Sequence, residues 1–359
     1  MTNQPIRVEF VDDREQEAQR YRERLTRSGR LDVHLTLPTR EIELAPYLAA
    51  PPDLFLLDYE LDQKQSNGTY ATYLGGTLSA AIREKVRDRP IVLITWRNKP
   101  IWKQHRRLVA GTRIFDSEVY KDDIDDNLDL VVQELCVLAD GFRRLREDNR
   151  TDPNALFGAL EAAPEEQRLL RETGLPSPGW EVPEAAHWIR DVVLRYPGIV
   201  YDPIHAATAL GLAIGAFTDE RVRGIMAPAK YVGVFDPPQG RWWKPRLYAI
   251  SAQFAREQEV TGPINRAFAA AFKKAHGDSL APAKCIVCGK LADWVCYITH
   301  QPVQIEHSLA YYPDNRPAVM DQARVSFTAI RESNEVLDEL FDAESADLLD
   351  GIRRGGSEV

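Results

Sequence analysis

Two carboxylates, Asp12 and Asp13, stand side by side directly after the apolar run of VEFVDD, and a third, Asp58, closes the run in DLFLLDYEL. A hydroxyl, Thr95, ends a third such run, IVLIT, and a lysine, Lys121, follows RIFDSEVY. Carboxylates gathered in one pocket repel one another and raise each other's pKa unless a cation sits among them. A hard divalent ion, Mg2+ by preference, resolves that conflict with oxygen ligands. An ammonium and a hydroxyl beside it supply the point charge and the hydrogen-bond donor that a phosphoryl group's oxygens need. A second set of chemistry-bearing residues lies in CIVCGKLADWVCYITHQPVQIEH, residues 285–307. Cys285 and Cys288 form a C-x2-C knuckle, Gly289 permits its tight turn, and Cys296 follows, with His300 or His307 to complete a tetrahedron. Thiolate and imidazole at these spacings suit Zn2+ in a closed, structural site. Two other readings compete with it: three buried cysteines that bind nothing, and a nucleophile-base pair of Cys296 with His300 or His307, for which no oxyanion hole is in view.

Converging the first set on one pocket requires particular elements. Five apolar runs read as strands: Arg7–Val11, Leu31–Leu37, Asp53–Leu57, Ile91–Thr95 and Arg113–Tyr120. The first, third and fourth are nearly unbroken, as strands covered on both faces require. Segments of helical length separate them, at Glu15–Ser28, Thr39–Ala50, Gly75–Asp88 and Lys99–Ala110. Strand alternating with helix predicts an α/β domain, a doubly wound five-stranded parallel sheet. Right-handed crossovers then bring the C-terminal strand ends, and with them all five polar groups, to one edge.

With VDD at 11–13, LLDYEL at 56–61, LIT at 93–95 and YK at 120–121, the chain over about residues 5–146 resembles the receiver domain of two-component response regulators. The resemblance implies a flavodoxin-like fold and transfer of a phosphoryl group to Asp58 from the phosphohistidine of a histidine kinase or phosphotransfer protein. It also implies Mg2+ held by Asp13, Asp58 and the Glu60 carbonyl, with Asp12 acting through water. Lys121 would pair with the phosphoryl group, and Thr95 would be the switch hydroxyl. Four features depart from the family's pattern: Trp96 where a small residue is usual, Asp122 in place of a proline, Glu118 at a position commonly aromatic, and a long QKQSNGTYATYLGG after Asp58. A degenerate receiver that keeps the fold and is never phosphorylated is the competing reading. The 285–307 segment, in turn, looks like a small treble-clef or HIT-like zinc finger in which Gln304 and His307 replace later cysteines.

Beyond Lys121, apolar residues recur at Ile124, Leu128, Val131, Leu135, Leu138, Phe142 and Leu145, a heptad seam over residues 122–146. This stripe predicts either a homodimer stem or a helix packed on the protein's own second domain. Gly141 inside the run weakens a long coil. The expected domains are a receiver at 1–121, its final helix extended as a stem at 122–150, and an output domain at 151–359, mainly helical α+β. In that half, Ala155–Glu172, residues 185–198 and 253–277, and PIHAATALGLAIGAF (203–217) read as helices, while 229–236 and 244–251 read as two strands around a turn. Gly211 and Gly215 suggest close helix packing. The tail from Asp321 to Leu349 reads as a mostly amphipathic helix or pair of helices, and RRGGSEV should fray. Trp242, Trp243, Lys244 and Arg246 form an aromatic-basic cluster, read either as a stacking surface or, preferentially, as a core edge with snorkelling cations.

The chain has 359 residues and a formal net charge of -9, which argues against a large nucleic-acid footprint. Its four cysteines fit a reducing compartment, MTNQPIRVEF lacks a signal-peptide pattern, and no apolar run is long enough for a bilayer, so a cytoplasmic protein without membrane contact is expected. No helix-turn-helix, cyclase or Walker pattern is visible in the second half. The leading expectation is therefore a protein-interaction output that responds to Asp58. The alternatives are a receiver-gated enzyme with its active site in residues 180–310, using His187, Asp202, His205 or His307, and nucleic-acid binding through Arg241–Arg246 and the zinc segment.

Overall fold

The computed structural model describes residues 4–98, 114–147, 180–194, 198–311, 320–332 and 346–354, together with Leu156 and Arg168. The helix expected over Lys99–Ala110, the start of the fifth strand at Arg113, and nearly all of the helix expected over Ala155–Glu172 lie outside the described residues. Two compact units divide the chain. The first comprises Met1–Leu156, Pro176–Trp188 and Gly233–Pro238, and the second Phe157–Leu175, Ile189–Val232 and Gln239–Val359.

In the first unit, strands β1 (Ile6–Val11), β2 (Leu31–Thr36), β3 (Leu54–Asp58), β4 (Ile91–Thr95) and β5 (Ser117–Tyr120) form one sheet in the order 2-1-3-4-5. Every pairing is parallel, with Ile6 opposite Leu31, Val8 opposite Leu54, Phe55 opposite Ile91 and Val92 opposite Ser117. This is the flavodoxin-like doubly wound order, whose switch point lies between β1 and β3. All residues of β3 and β4 are buried, because helices cover both faces. Helices α1 (Glu15–Thr26), α2 (Ala45–Ala49) and α3 (Gly75–Lys85) follow the first three strands. Gly75 is required where α3 begins: a Cβ there would lie 2.0 Å from the Asp58 carbonyl oxygen, and the Gly75 N–H donates to Tyr59 O at 2.8 Å.

The final helical segment is broken. Lys121–Asp126 (α4) is separated by Asn127 from Leu128–Glu147 (α5). Val131, Leu135, Leu138, Phe142 and Leu145 of α5 are all buried within the chain. The buried side of the heptad seam is covered within the chain, with α5 itself part of the first unit. Helix α6 (Val182–Trp188) belongs to the same unit.

Among the described residues the second unit is mainly helical, with three two-stranded sheets. It contains β6 (Val200–Tyr201), α7 (Pro203–Ala209), α8 (Ile214–Phe217), α9 (Glu220–Met226), β7 (Trp242–Trp243), α10 (Lys244–Glu257) and α11 (Ile264–His276). Strands β8 (Trp294–Val295), β9 (Pro302–Val303), β10 (Ser308–Tyr311) and β11 (Ala323–Ser326) follow, then α12 (Phe327–Glu332) and α13 (Ala346–Arg353). Leu210, Phe217, Val222, Met226, Leu247, Phe268 and Phe272 build its main core.

The structure departs from several sequence expectations. Residues 244–251 are helical, since Pro245 sits in the first turn, where its missing N–H costs nothing. The 229–236 run, read as a strand, makes a single antiparallel bridge, Lys230 opposite Trp242, between a 3-10 turn and bends, and Trp242–Trp243 pairs with β6. The 203–217 run is broken by Gly211, whose φ of +73° and whose absent Cβ, 1.8 Å from Asn265 O, admit only glycine. Gly215 faces open space and has no packing role. The tail from Asp321, read as a mostly amphipathic helix or pair of helices, starts with β11 and carries α12 and α13 after it. Among the described residues, no helix is long and apolar enough to cross a membrane.

Candidate functional site

The pocket lies at the C-terminal ends of β1, β3 and β4, astride the switch point. Asp12 and Asp13 follow β1, Asp58 ends β3, Thr95 ends β4, and Lys121 opens α4 directly after β5. All five are buried, with Asp12, Asp58, Thr95 and Lys121 at 0% exposure. One carboxylate oxygen from each of Asp12, Asp13 and Asp58 lies within 4.8 Å of the other two. The Lys121 ammonium donates to Asp12 Oδ2 at 2.8 Å and lies 3.6 Å from Asp58 Oδ2. Burial alone would depress that ammonium, but Asp58 and Asp12 more than offset it, so Lys121 is held well above its ordinary value.

Backbone donors orient the carboxylates. Asp12 Oδ1 accepts from Arg14 N at 2.8 Å, Asp13 Oδ2 from Gln63 N at 2.6 Å, and Asp58 Oδ1 from Tyr59 N at 2.9 Å. The long insertion after Asp58 thus returns a donor to Asp13. The Thr95 hydroxyl has no hydrogen-bond partner in this buried setting. The Glu60 side chain accepts from Arg14 at 3.4 Å and from Gln63 Nε2 at 3.3 Å.

One member of the pocket was not foreseen. Glu17, in the first turn of α1, accepts from Lys121 Nζ at 2.8 Å and from the Trp96 indole N–H at 3.1 Å. Burial pushes its carboxyl up, but Lys121 and then Trp96 outweigh this and hold it below its ordinary value. Trp96 also meets Tyr21 edge-on, with ring centroids 6.3 Å apart. An acidic residue at a helix start reads as a dipole partner, and its link to Lys121 depends on a pairing over 104 residues that no local pattern signals.

The soft-ligand segment differs from its spacing-based reading. Cys285, Cys288 and His307 come together, with ligand atoms within 4.8 Å of one another. Cys296 does not join them. It is buried, and its sulfur accepts from Ser326 N at 3.2 Å. Burial raises this thiol, yet hydrogen bonds led by Ser326 bring it below its ordinary value. His300 also stands apart, with a left-handed backbone (φ 50°) and a ring whose charge bears on His205.

The polar groups considered for an enzyme are each engaged elsewhere. His187 Nε2 lies 3.3 Å from Asp116 Oδ1 in the first unit. In the second, His205 Nδ1 lies 2.7 Å from Asp202 Oδ1, and His307 belongs with the cysteines. Trp242 and Trp243 are buried against Phe217 and Tyr231, Lys244 pairs with Asp321, and Arg246 lies over Trp243. That is the core-edge arrangement, with no free stacking face.

The His205–Asp202 pair makes the second unit sensitive to acid. Burial holds His205 below its ordinary 6.5 despite Asp202, and His300 and Arg241 add to the effect. A base with a depressed folded pKa contributes stability that is full above its unfolded value and lost as pH falls. Chemical denaturation between pH 8 and 5 is expected to show stability falling once pH drops below about 6.5, the unfolded histidine value, with a flatter profile for His205→Gln.

No family model matches the sequence, and no curated protein does either. Among solved structures, the chain is similar to NtrX from Brucella abortus, at 16% identity over 47% of this chain and 34% of that one, with a TM-score of 0.33. It is also similar to the NtrX receiver domain, at 19% identity over 36% of this chain and 97% of that one, with a TM-score of 0.28. A third is the response regulator protein TrrA from Thermotoga maritima in complex with Mg2+-BeF, at 22% identity over 36% of this chain and 98% of that one, with a TM-score of 0.29. The chain thus spans about a third of that NtrX chain. These neighbours are response-regulator proteins and receiver domains, and the C-terminal half remains unassigned.

Proposed function

We propose that the first unit is a phosphoryl-accepting receiver of two-component signalling and that the second unit is its output, acting through protein contacts. One observation carries this reading: a fully buried lysine, 3.6 Å from Asp58 Oδ2, inside a group of three buried carboxylates. A single ammonium cannot balance them, and Glu17 adds a further negative charge on Lys121. The residues fit Mg2+: Asp13, Asp58 and the Glu60 carbonyl would hold it, with Asp12 reaching it through water. When bound, the ion would neutralise charge on the transferring phosphoryl oxygens.

In the transfer, an Asp58 carboxylate oxygen forms the new P–O bond while the P–N bond to the donor's phosphohistidine breaks, and the departing imidazole keeps the electron pair. Lys121 pairs with one phosphoryl oxygen, and the Thr95 hydroxyl donates to another. Since Trp96 follows Thr95 and is tied to Glu17, movement of Thr95 strains the Trp96–Glu17 contact and so changes the indole's surroundings. Acyl phosphate formation then shifts a two-state equilibrium of this loop.

The test is a titration with beryllofluoride and Mg2+, followed by tryptophan fluorescence. Saturable binding is expected for the wild type, with none for Asp58→Asn and a much smaller signal for Trp96→Phe. Absence of binding by the wild type would remove the reading and leave a receiver fold without phosphoryl chemistry.

A further inference from the structure

In the second unit, residues 285–307 build a compact knuckle below the short hairpin of β8 and β9. Cys285 N donates to Lys290 O at 2.7 Å, Gly289 N returns to Cys285 O at 2.8 Å, and Ile286 N donates to Pro302 O at 2.9 Å. The turn closes through Gly289, at φ +71°. Within it, one sulfur, Cys285 Sγ, accepts two backbone donors, Val287 N at 3.4 Å and Gln304 N at 3.3 Å. Cys285 Sγ lies 3.6 Å from His307 Nδ1, and Cys288 Sγ lies near both.

Zn–S bonds of about 2.3 Å and Zn–N bonds of about 2.0–2.1 Å at a tetrahedral angle place sulfur and nitrogen about 3.6 Å apart. The Cys285–His307 separation matches that edge. A fourth polar group lies beside Cys288. Gln304 Nε2 donates to Leu291 O at 2.9 Å, which turns Oε1 toward Cys288 Sγ, at 3.1 Å.

We infer that Cys285, Cys288, His307 Nδ1 and Gln304 Oε1 form a Zn2+ site that ties the knuckle to the turn preceding β10. Two thiolates balance the dication, and imidazole and amide add no charge. The amide oxygen is a harder and weaker donor than the thiolate expected from the cysteine count. Cys288 is exposed, so the ion sits at the surface and exchanges readily.

The inference is independent of phosphoryl acceptance. Its test is metal analysis of the purified full chain, joined to cobalt substitution. One zinc per chain is expected, along with the visible ligand-field bands of a tetrahedral cobalt site and a thiolate-to-metal band. His307→Ala and Cys288→Ser should lose the ion. Cys296→Ser should keep it at full stoichiometry, although spacing alone nominates Cys296. In chelator competition, Gln304→Ala should bind at least tenfold more weakly than the wild type, and Gln304→Cys more tightly. A native chain without zinc that yields no tetrahedral cobalt spectrum would overturn the site. Loss of zinc from Cys296→Ser together with its retention in His307→Ala would overturn the ligand set. The cobalt spectrum of the unaltered chain decides the matter even where a variant fails to fold.

Discussion

Replacing Lys121 by methionine should destabilise the first unit by about 3–5 kcal/mol, the usual cost of removing one partner from a buried ion pair. Lys121 has no exposed surface and serves Asp12 and Glu17 at 2.8 Å each, with Asp58 at 3.6 Å. Without the ammonium, buried anions face one another across a few ångströms, and one of them must take up a proton to remain inside. The loss therefore grows with pH, because protonation becomes harder as pH rises. Mg2+ should recover part of the stability of this variant, since on the proposed reading it would occupy the same anionic pocket and bind only the folded chain. Asp12→Asn in the same chain should recover more of it in the absence of metal. Urea denaturation at pH 6 and pH 8, with and without Mg2+, measures all four effects. A loss below about 1 kcal/mol, the scale of a surface pair, would show that these charges are solvated, and the electrostatic basis of the proposed function would go with it.

How far the residues announce this arrangement differs between the two halves for a physical reason. In β1, β3 and β4 the signal is local: parallel strands covered on both faces must be apolar throughout, so each run and the polar residue at its end are visible together. Asp12, Asp58 and Thr95 stand out because they interrupt that rule at its edge. Glu17 was not legible as a site residue, and Trp96 showed only as a bulky residue after Thr95, because their link is a hydrogen bond between α1 and the loop after β4. The stripe on α5 is a different case. Its spacing is plain, but spacing does not say whether the covering surface belongs to the same chain. In the second half the elements are short and context decides. Residues 244–251 alternate enough to imitate a strand, yet Pro245 and the burial of Leu247, Ser251 and Ala255 mark a helix. Likewise Cys296 has ligand-like spacing, but its direction is set by Ser326, thirty residues on.

Gly141 supplies a test in which two physical arguments predict opposite signs. It lies inside α5, where glycine costs about 1 kcal/mol relative to alanine, so propensity alone makes Gly141→Ala stabilising. The surroundings say otherwise. A Cβ at Gly141 would lie 2.1 Å from Cδ1 and Cε1 of Phe235. Phe235 comes from Gly233–Pro238, a short segment that belongs to the first unit although its chain neighbours on both sides belong to the second. The ring has little freedom to retreat. Its backbone is left-handed at φ 62°, it packs edge-on against Phe142 with centroids 6.1 Å apart, and Arg144 Nη1 holds Gly233 O at 2.8 Å. Val234 N donates to Leu156 O at 2.8 Å on the other side. Overpacking of this kind costs about 1–3 kcal/mol, enough to outweigh the propensity gain. Gly141→Ala should therefore destabilise the chain, and Phe235→Ala, which empties the groove, should cost about 3–5 kcal/mol. In the double variant the clash is gone and only propensity remains, so adding Gly141→Ala to Phe235→Ala should stabilise it by about 1 kcal/mol. The sign reversal measures the coupling between ring and glycine directly. If Gly141→Ala instead stabilises the otherwise unaltered chain, Phe235 does not occupy the groove in solution, and α5 is free of the 233–238 segment.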